Sequence, residues 1–440
     1  MTIQATILVE GEASVPVLYG VRFLDGVDLV KLEPRDLTPR VLKRVPVEQR
    51  VIVDRAVAPD VDELLARAAQ LLQTPAALYV LAPRARTHAD AVAVVTALHR
   101  LQRRDVVMFA EGAIGMWTRV VAPLIGAPFV FASIDGDVAD DGVPTVEQLV
   151  VDYGFPELRE AREIFGIAGD PVYSSLSPRL HNAAFRAVGR PALYVPFHVP
   201  HFAEFWSSVV ESGALEAAGL PIGALCVVSP HKQIALKATS SRTSIVQRAQ
   251  STNFFVREGG QWTADTTDPA GIIVALRERG VDPAGHKAAV VGCGGSGRAV
   301  AAALQQAGAD VTLVNRGFDR GSLAVHLLRL PFMPLAGFPA ERFSLVVNAT
   351  PCGRNGECPF DIDRLRADAV VVDLVYGSAP TPLVEHMRAN GRIAIDGKDI
   401  LITQAMSQFR LMTGQEMPDD VVLQVLGRAR ASAAVVEAEA

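Results

Sequence analysis

Three stretches of this chain hold residue types that could do chemistry. The first is Gly292-Cys-Gly294-Gly295, which follows four apolar residues (Ala288 to Val291) and precedes a helical run from about Ser296 to Gln306. A buried strand, a turn free of Cβ atoms and a helix start form a phosphate cradle, because the first N–H groups and the dipole of the helix favour an anion. The second stretch, Gly308 to Arg316, is a strand at βαβ spacing. Where an NAD site ends its strand in Asp or Glu, this one has Asn315 and Arg316, with Arg320 a turn further on. Guanidinium groups there suit a 2′-phosphate, so the cofactor read is NADP; the alternative is solvated surface charge. The third stretch lies upstream. Ser175 and Ser177 sit two apart in an extended turn, where paired hydroxyls could bind a carboxylate, although Ser-x-Ser-Pro is also a helix-capping pattern. A strand from Gly223 runs into Pro230-His-Lys232 at an expected helix start, which delivers Lys232 to a cleft. Asp268 follows in Thr266-Thr-Asp268-Pro. An isolated Lys or Asp is commonly a solvated charge; here both precede a dinucleotide turn.

These side chains need α/β scaffolding, and the pattern supplies it. Candidate strands in the first third are Ala5–Glu10, Val27–Glu33, Arg50–Asp54, Ala76–Ala82, Val106–Ala110 and Pro128–Ser133, with helical runs such as Val61–Leu72 between them. Alternation of this kind predicts parallel βα units, with too few strands for an eight-stranded barrel. Further buried strands are expected at Phe343–Thr350 and Ala369–Tyr376, and an amphipathic helix at Asp399–Met412. The 440 residues have a net charge of −6 and no basic tract, which gives no support to nucleic-acid binding. No apolar run reaches the ~20 residues of a membrane span, and the first residues lack a signal pattern, so a cytoplasmic protein is expected. Four cysteines (226, 293, 352 and 358) have no metal-binding spacing; free thiols and no metal are expected.

From Phe165 to near Gly427 the chain resembles shikimate dehydrogenases. The matching pieces are the Ser175/Ser177 turn, Pro-His-Lys232, Asn253, Thr266-Thr-Asp268-x-x-Gly271, the glycine turn, Asn315-Arg316, Asn348-Ala-Thr350-Pro-Cys-Gly353, Asp373-Leu-Val-Tyr376 and Asp396-Gly-x-x-x-Leu-x-x-Gln404. The resemblance implies that Ser175 and Ser177 bind the substrate carboxylate and that Lys232 and Asp268 are the catalytic pair. It also implies that Asn253, Thr267 and Gln404 contact ring hydroxyls or the carbonyl, with Tyr376 near the nicotinamide and substrate. Gly292, Gly294, Gly295, Asn315, Arg316, Arg320, Asn348 and Thr350 then form the NADP site. Two departures stand out: Cys226-Val-Val228 replaces the usual Asn/Ser-Val-Thr, and Thr266 replaces an Asn. Val228 thus lacks a hydroxyl that would face the substrate.

Residues Glu111–Gly126 with Pro128–Ser133 resemble the late part of type I 3-dehydroquinate dehydratases, and Arg119 falls on that family's carboxylate-binding arginine. Imine-based dehydration needs an amine and a proton shuttle. Val80 stands at the lysine position, Val53 at the histidine and Val143 at a glutamine. Lys31, Lys43, His88 and His99 match no family position.

The expected architecture is therefore α/β: a partial (β/α) barrel-like domain at 1–160, followed by a two-lobed dehydrogenase. Its substrate domain spans 161–270 with C-terminal helices at 397–430, its Rossmann domain spans 271–396, and a flexible tail covers 431–440. The expected activity is NADP-dependent shikimate dehydrogenation on a small-molecule substrate, with an inactive N-terminal domain and an open oligomeric state. The alternatives are a quinate-preferring dehydrogenase, a non-catalytic regulator of the quinate-pathway type, and a bifunctional dehydratase/dehydrogenase.

Overall fold

A computed structural model describes residues 2–4, 6–10, 17–19, 29–133, 142–377 and 379–427. Ala5, Val27, Asp28 and the expected tail at 431–440 lie outside them, as do 428–430 of the expected C-terminal helices. The chain divides into two compact units, Met1–Ser229 and Pro230–Ala440.

In the first unit, Val30–Leu32, Arg50–Asp54, Leu78–Leu81 and Val106–Met108 form a parallel four-stranded sheet in that order. The last three strands are wholly buried, as continuous apolar runs covered on both faces should be. The intervening helices are Val61–Leu71 and His88–Leu101. Thr87 and Asp90 close the second helix with a reciprocal capping box. A separate sheet holds Val17–Tyr19, Thr6–Glu10 and Phe129–Ser133, the last two parallel to each other. Thr2–Gln4 pairs with Glu157–Arg159. Among the described residues these sheets form no closed barrel. The six expected strands are present, Arg50–Asp54 with the expected ends and those at 78–81, 106–108 and 129–133 shorter than expected; those at 2–4, 17–19 and 157–159 were not expected, being too short to carry a period.

The same unit contains Ala192–His198, Glu163–Gly169 and Ile222–Val227, again parallel, with Glu163–Gly169 central. Helix Met116–Val121 rests against this layer: the Trp117 and Phe197 ring centroids are 5.5 Å apart, and both side chains are fully buried. Phe197 continues to Phe205 at 5.2 Å, and Phe205 meets the His88 ring at 4.9 Å. Asp152 accepts from Arg179 Nε at 2.6 Å on helix Ser177–Ala187. The dehydratase-like segment thus shares a core with the strands that follow it.

The second unit contains a doubly wound six-stranded sheet whose strands are all parallel, in the order Phe332–Pro334, Asp310–Asn315, Lys287–Val291, Leu345–Asn348, Val370–Asp373, Ala394–Ile395, together with the antiparallel pair Phe254–Glu258 and Gln261–Asp265. The period of two is visible in the central strand. Ala288 and Val290 join a core with Ile272, Leu276, Val300 and Leu304, whereas Ala289 and Val291 face Phe343, Leu383 and Met387. Helix Gly397–Thr413 packs along helix Asp268–Glu278. This sheet reverses its order beside Lys287–Val291, so the carboxyl ends of Lys287–Val291 and Leu345–Asn348 flank the crevice where α/β folds bind ligands.

Candidate active site

The glycine turn occupies that crevice. Gly292 has φ +109°, and a Cβ there would lie 2.9 Å from the Ala349 carbonyl; a Cβ on Gly297 would run into the Gly292 carbonyl oxygen. Helix Gly295–Gln306 begins immediately, and its first intrahelical bond runs from Arg298 N to Gly294 O. The N–H groups of Gly295, Ser296 and Gly297 therefore point out of the helix end, the arrangement a phosphate takes. Asn315 braces the turn, accepting from Cys293 N at 3.1 Å and donating to Gly317 O at 2.8 Å. Arg316 and Arg320 are exposed and have no ion pair among the described residues, so both guanidinium groups remain available to an anion. These residues fit a dinucleotide with a 2′-phosphate. The buried Asn348 side chain is committed to Cys352 O, Asp373 and Thr350, so it shapes the loop and positions Thr350. Burial pushes the Cys293 thiol up to about 11, which keeps it protonated inside the turn.

Beside the turn, Lys232 Nζ donates to Asp268 Oδ1 at 3.0 Å and Oδ2 at 2.8 Å. Asp268 is 3 % exposed and Lys232 18 %. Asp268 Oδ1 also accepts from Asn253 Nδ2 at 2.9 Å and Gln404 Nε2 at 2.8 Å. Asn253 in turn accepts from the Thr267 backbone N–H at 2.7 Å, and Gln408 Nε2 donates to Thr267 Oγ1 at 3.1 Å. A buried carboxylate without donors would be costly, and four hydrogen bonds from three donor side chains offset that cost here. The cluster therefore joins the five expected residues Lys232, Asp268, Asn253, Thr267 and Gln404. It can hold an ammonium against an oxygen that acquires negative charge.

Sequence reasoning missed two of its members. Ser296 Oγ accepts the remaining Lys232 N–H at 2.8 Å, a contact across 64 positions with no local signature. Gln408 lies one helical turn beyond Gln404, and that spacing could have revealed it.

Two expectations about local structure are corrected. Pro230-His-Lys232 does not start an α-helix: it forms a turn that tightens into the 3-10 segment Ile234–Ala238, drawn together where Arg242 Nη2 donates to Leu236 O at 2.6 Å. Ser177 is not in the extended turn but is the first residue of helix Ser177–Ala187, and its N–H donates to Ser175 Oγ at 3.3 Å. The N-cap position itself is Leu176, whose side chain makes no capping bond, and the two hydroxyls do not share one extended turn. Tyr376 lines a cavity of about 280 Å³ with Thr381, Arg388 and Lys398. Val228, one residue past the strand Ile222–Val227, packs against Gly169, where its Cγ2 fills the space a Cβ would need.

In the first unit, Val53 and Val80 are direct partners on adjacent strands, both buried. Arg119 is buried with its guanidinium 3.8 Å above the Phe109 ring. Lys31 and Lys43 are exposed, and His88 is buried at a helix start.

Comparison with known proteins agrees with both halves. Residues 18–157 match the type I 3-dehydroquinase family, and residues 167–254 match the shikimate dehydrogenase substrate binding domain. A bifunctional 3-dehydroquinate dehydratase/shikimate dehydrogenase of Arabidopsis thaliana is 28 % identical over 395 residues, covering 84 % of this chain. The chain spans 64 % of that relative's length. An NADP(+) shikimate dehydrogenase of Symbiobacterium thermophilum is 34 % identical over 275 residues, covering 59 % of this chain and 92 % of that protein. The Thermus thermophilus shikimate 5-dehydrogenase, solved with NADP(H) and shikimate, has a TM-score of 0.54 at 28 % identity, covering 60 % of this chain and 98 % of that one. No helix among the described residues is long and apolar enough to cross a membrane.

Proposed function

The chain belongs to the shikimate dehydrogenase family, and from that premise we propose that it is a cytoplasmic enzyme that reversibly reduces 3-dehydroshikimate to shikimate with NADPH. The observation that carries the reading is the Lys232–Asp268 pair, held beside the glycine turn with Asn253 and Gln404 on the same carboxylate. The chemistry NADPH supplies when bound is the hydride. As the carbonyl carbon of the substrate is reduced, its oxygen gains charge that the Lys232 ammonium stabilises and then protonates. Asp268 keeps that ammonium in place. Asn253, Thr267 and Gln404 bind ring oxygens, Ser175 and Ser177 the carboxylate, and Arg316 and Arg320 the 2′-phosphate.

In this reading residues 161–270 with 397–430 serve the substrate and 271–396 the dinucleotide. Residues 1–160 are a dehydratase-like domain without dehydratase activity, because neither valine of the Val53–Val80 pair can form an imine or move a proton. An absorbance trace with shikimate and NADP tests the first assignment: NADPH must appear. Incubation with 3-dehydroquinate tests the second: a conjugated enone would restore the bifunctional reading. A preference for quinate is favoured by Val228, and comparing rates on the two acids decides it.

A further inference from the structure

Asp268 alone does not fix the direction of the Lys232 ammonium. Both carboxylate oxygens approach from one side, and the four-carbon stem is flexible. The other constraint comes from the glycine turn. A Cβ on Gly295 would lie 3.2 Å from Lys232 Cβ, so the turn and the lysine segment approach closely, and the next residue brings its Oγ to 2.8 Å from Nζ. Ser296 sits in the first turn of a twelve-residue helix, so its hydroxyl is held by a rigid element. Arg298, two residues on, anchors that element by donating to Ala249 O at 2.7 Å and Gln250 O at 2.9 Å.

We propose that Ser296 is a positioning residue for Lys232, holding one N–H of its ammonium from the loop that would also receive the dinucleotide. An ammonium is tetrahedral, so bonds from Asp268 on one side and Ser296 on the other determine where the third N–H points. That third direction is the one a substrate oxygen takes, in exchange for one of the two Asp268 contacts. The proposal rests on the dehydrogenase reading and adds to it that the phosphate loop aims the proton donor.

The test compares Ser296→Ala, Ser296→Thr and the unaltered protein in steady-state kinetics, with NADP affinity measured separately by fluorescence titration. Loss of aim with binding intact predicts that Ser296→Ala lowers kcat about tenfold, while KM for shikimate and Kd for NADP stay within about twofold. Ser296→Thr keeps the hydroxyl and should recover most of kcat. A kcat for Ser296→Ala equal to that of the unaltered protein overturns the proposal, as does a threonine variant as slow as the alanine one. A loss carried by NADP affinity assigns Ser296 to the cofactor site and also overturns it. Absent turnover in the unaltered protein sinks the dehydrogenase reading and this proposal together, whereas an active protein indifferent to Ser296→Ala sinks this proposal alone.

Discussion

Gly271 and Gln404 face each other across two helices so closely that a Cβ on the glycine would stand 2.6 Å from Gln404 Cγ. The space left by the missing side chain lets Gln404 reach Asp268, and Thr403 Oγ1 donates to the Gly271 carbonyl at 2.9 Å alongside. Gly271→Ala should push Gln404 aside, costing about 1–3 kcal/mol of stability and about tenfold in kcat/KM. In Gly271→Ala/Gln404→Ala the stability cost should shrink, because the shorter side chain clears the clash. Urea unfolding of the two single variants and the double variant measures the coupling.

Lys232→Ala removes the ammonium but leaves Asp268 with donors from Asn253 and Gln404. Folding and NADPH binding should therefore survive while turnover falls by about a thousandfold, as expected for loss of a general acid that also stabilises charge. Fluorescence titration and stopped-flow reduction check the two halves of this expectation; unchanged turnover would refute the role given to Lys232.

Trp117 belongs to the dehydratase-like segment but is buried against Phe197 of the following layer. Trp117→Ala should cost about 3–5 kcal/mol by opening a cavity between them. A shortened chain beginning at Arg162 would bare Phe197 and Phe205 to water. Its soluble yield and melting temperature should fall below those of the full chain, and a shortened chain with an unchanged melting temperature would contradict the shared core.

His88 is fully buried, and burial, with a smaller contribution from His198, pushes its imidazole down to about 3. An unfolded histidine titrates near 6.5, so above that pH neither state gains a proton and stability is flat. Between about 6.5 and 3 the unfolded chain takes up a proton that the native one refuses, and stability falls as the pH drops, by up to about 1.4 kcal/mol per unit. Between pH 7 and pH 5 this amounts to about 2 kcal/mol. His88→Leu should lose about that much less over the same interval, as read from urea midpoints at the two pH values.

What was legible in the sequence follows the range of the interactions involved. The strand Lys287–Val291, its glycine turn and the helix Gly295–Gln306 were readable because turn chemistry and apolar runs are local. Lys232 and Asp268, 36 positions apart, could be paired only through resemblance, since no period links them. Ser296 escaped notice because a serine among glycines reads as turn filler, and only the fold reveals that a lysine 64 positions earlier ends beside it. The extended turn expected for Ser175 and Ser177 was displaced by a local competitor, the bond from the first helical N–H of Ser177 to Ser175 Oγ. The core shared by Trp117 and Phe197 had no signature, because each residue reads as ordinary interior of its own segment.

The register that sets Val53 opposite Val80 also couples the two positions energetically. A lysine placed at 80 alone would be a charge in a buried position opposite another valine, destabilising by several kcal/mol. A histidine at 53 alone would gain nothing to compensate for its own enclosure. Each single step therefore descends, whereas the two together would give each new polar group a neighbour in the same buried register, so the double substitution should cost less than the sum of the single ones.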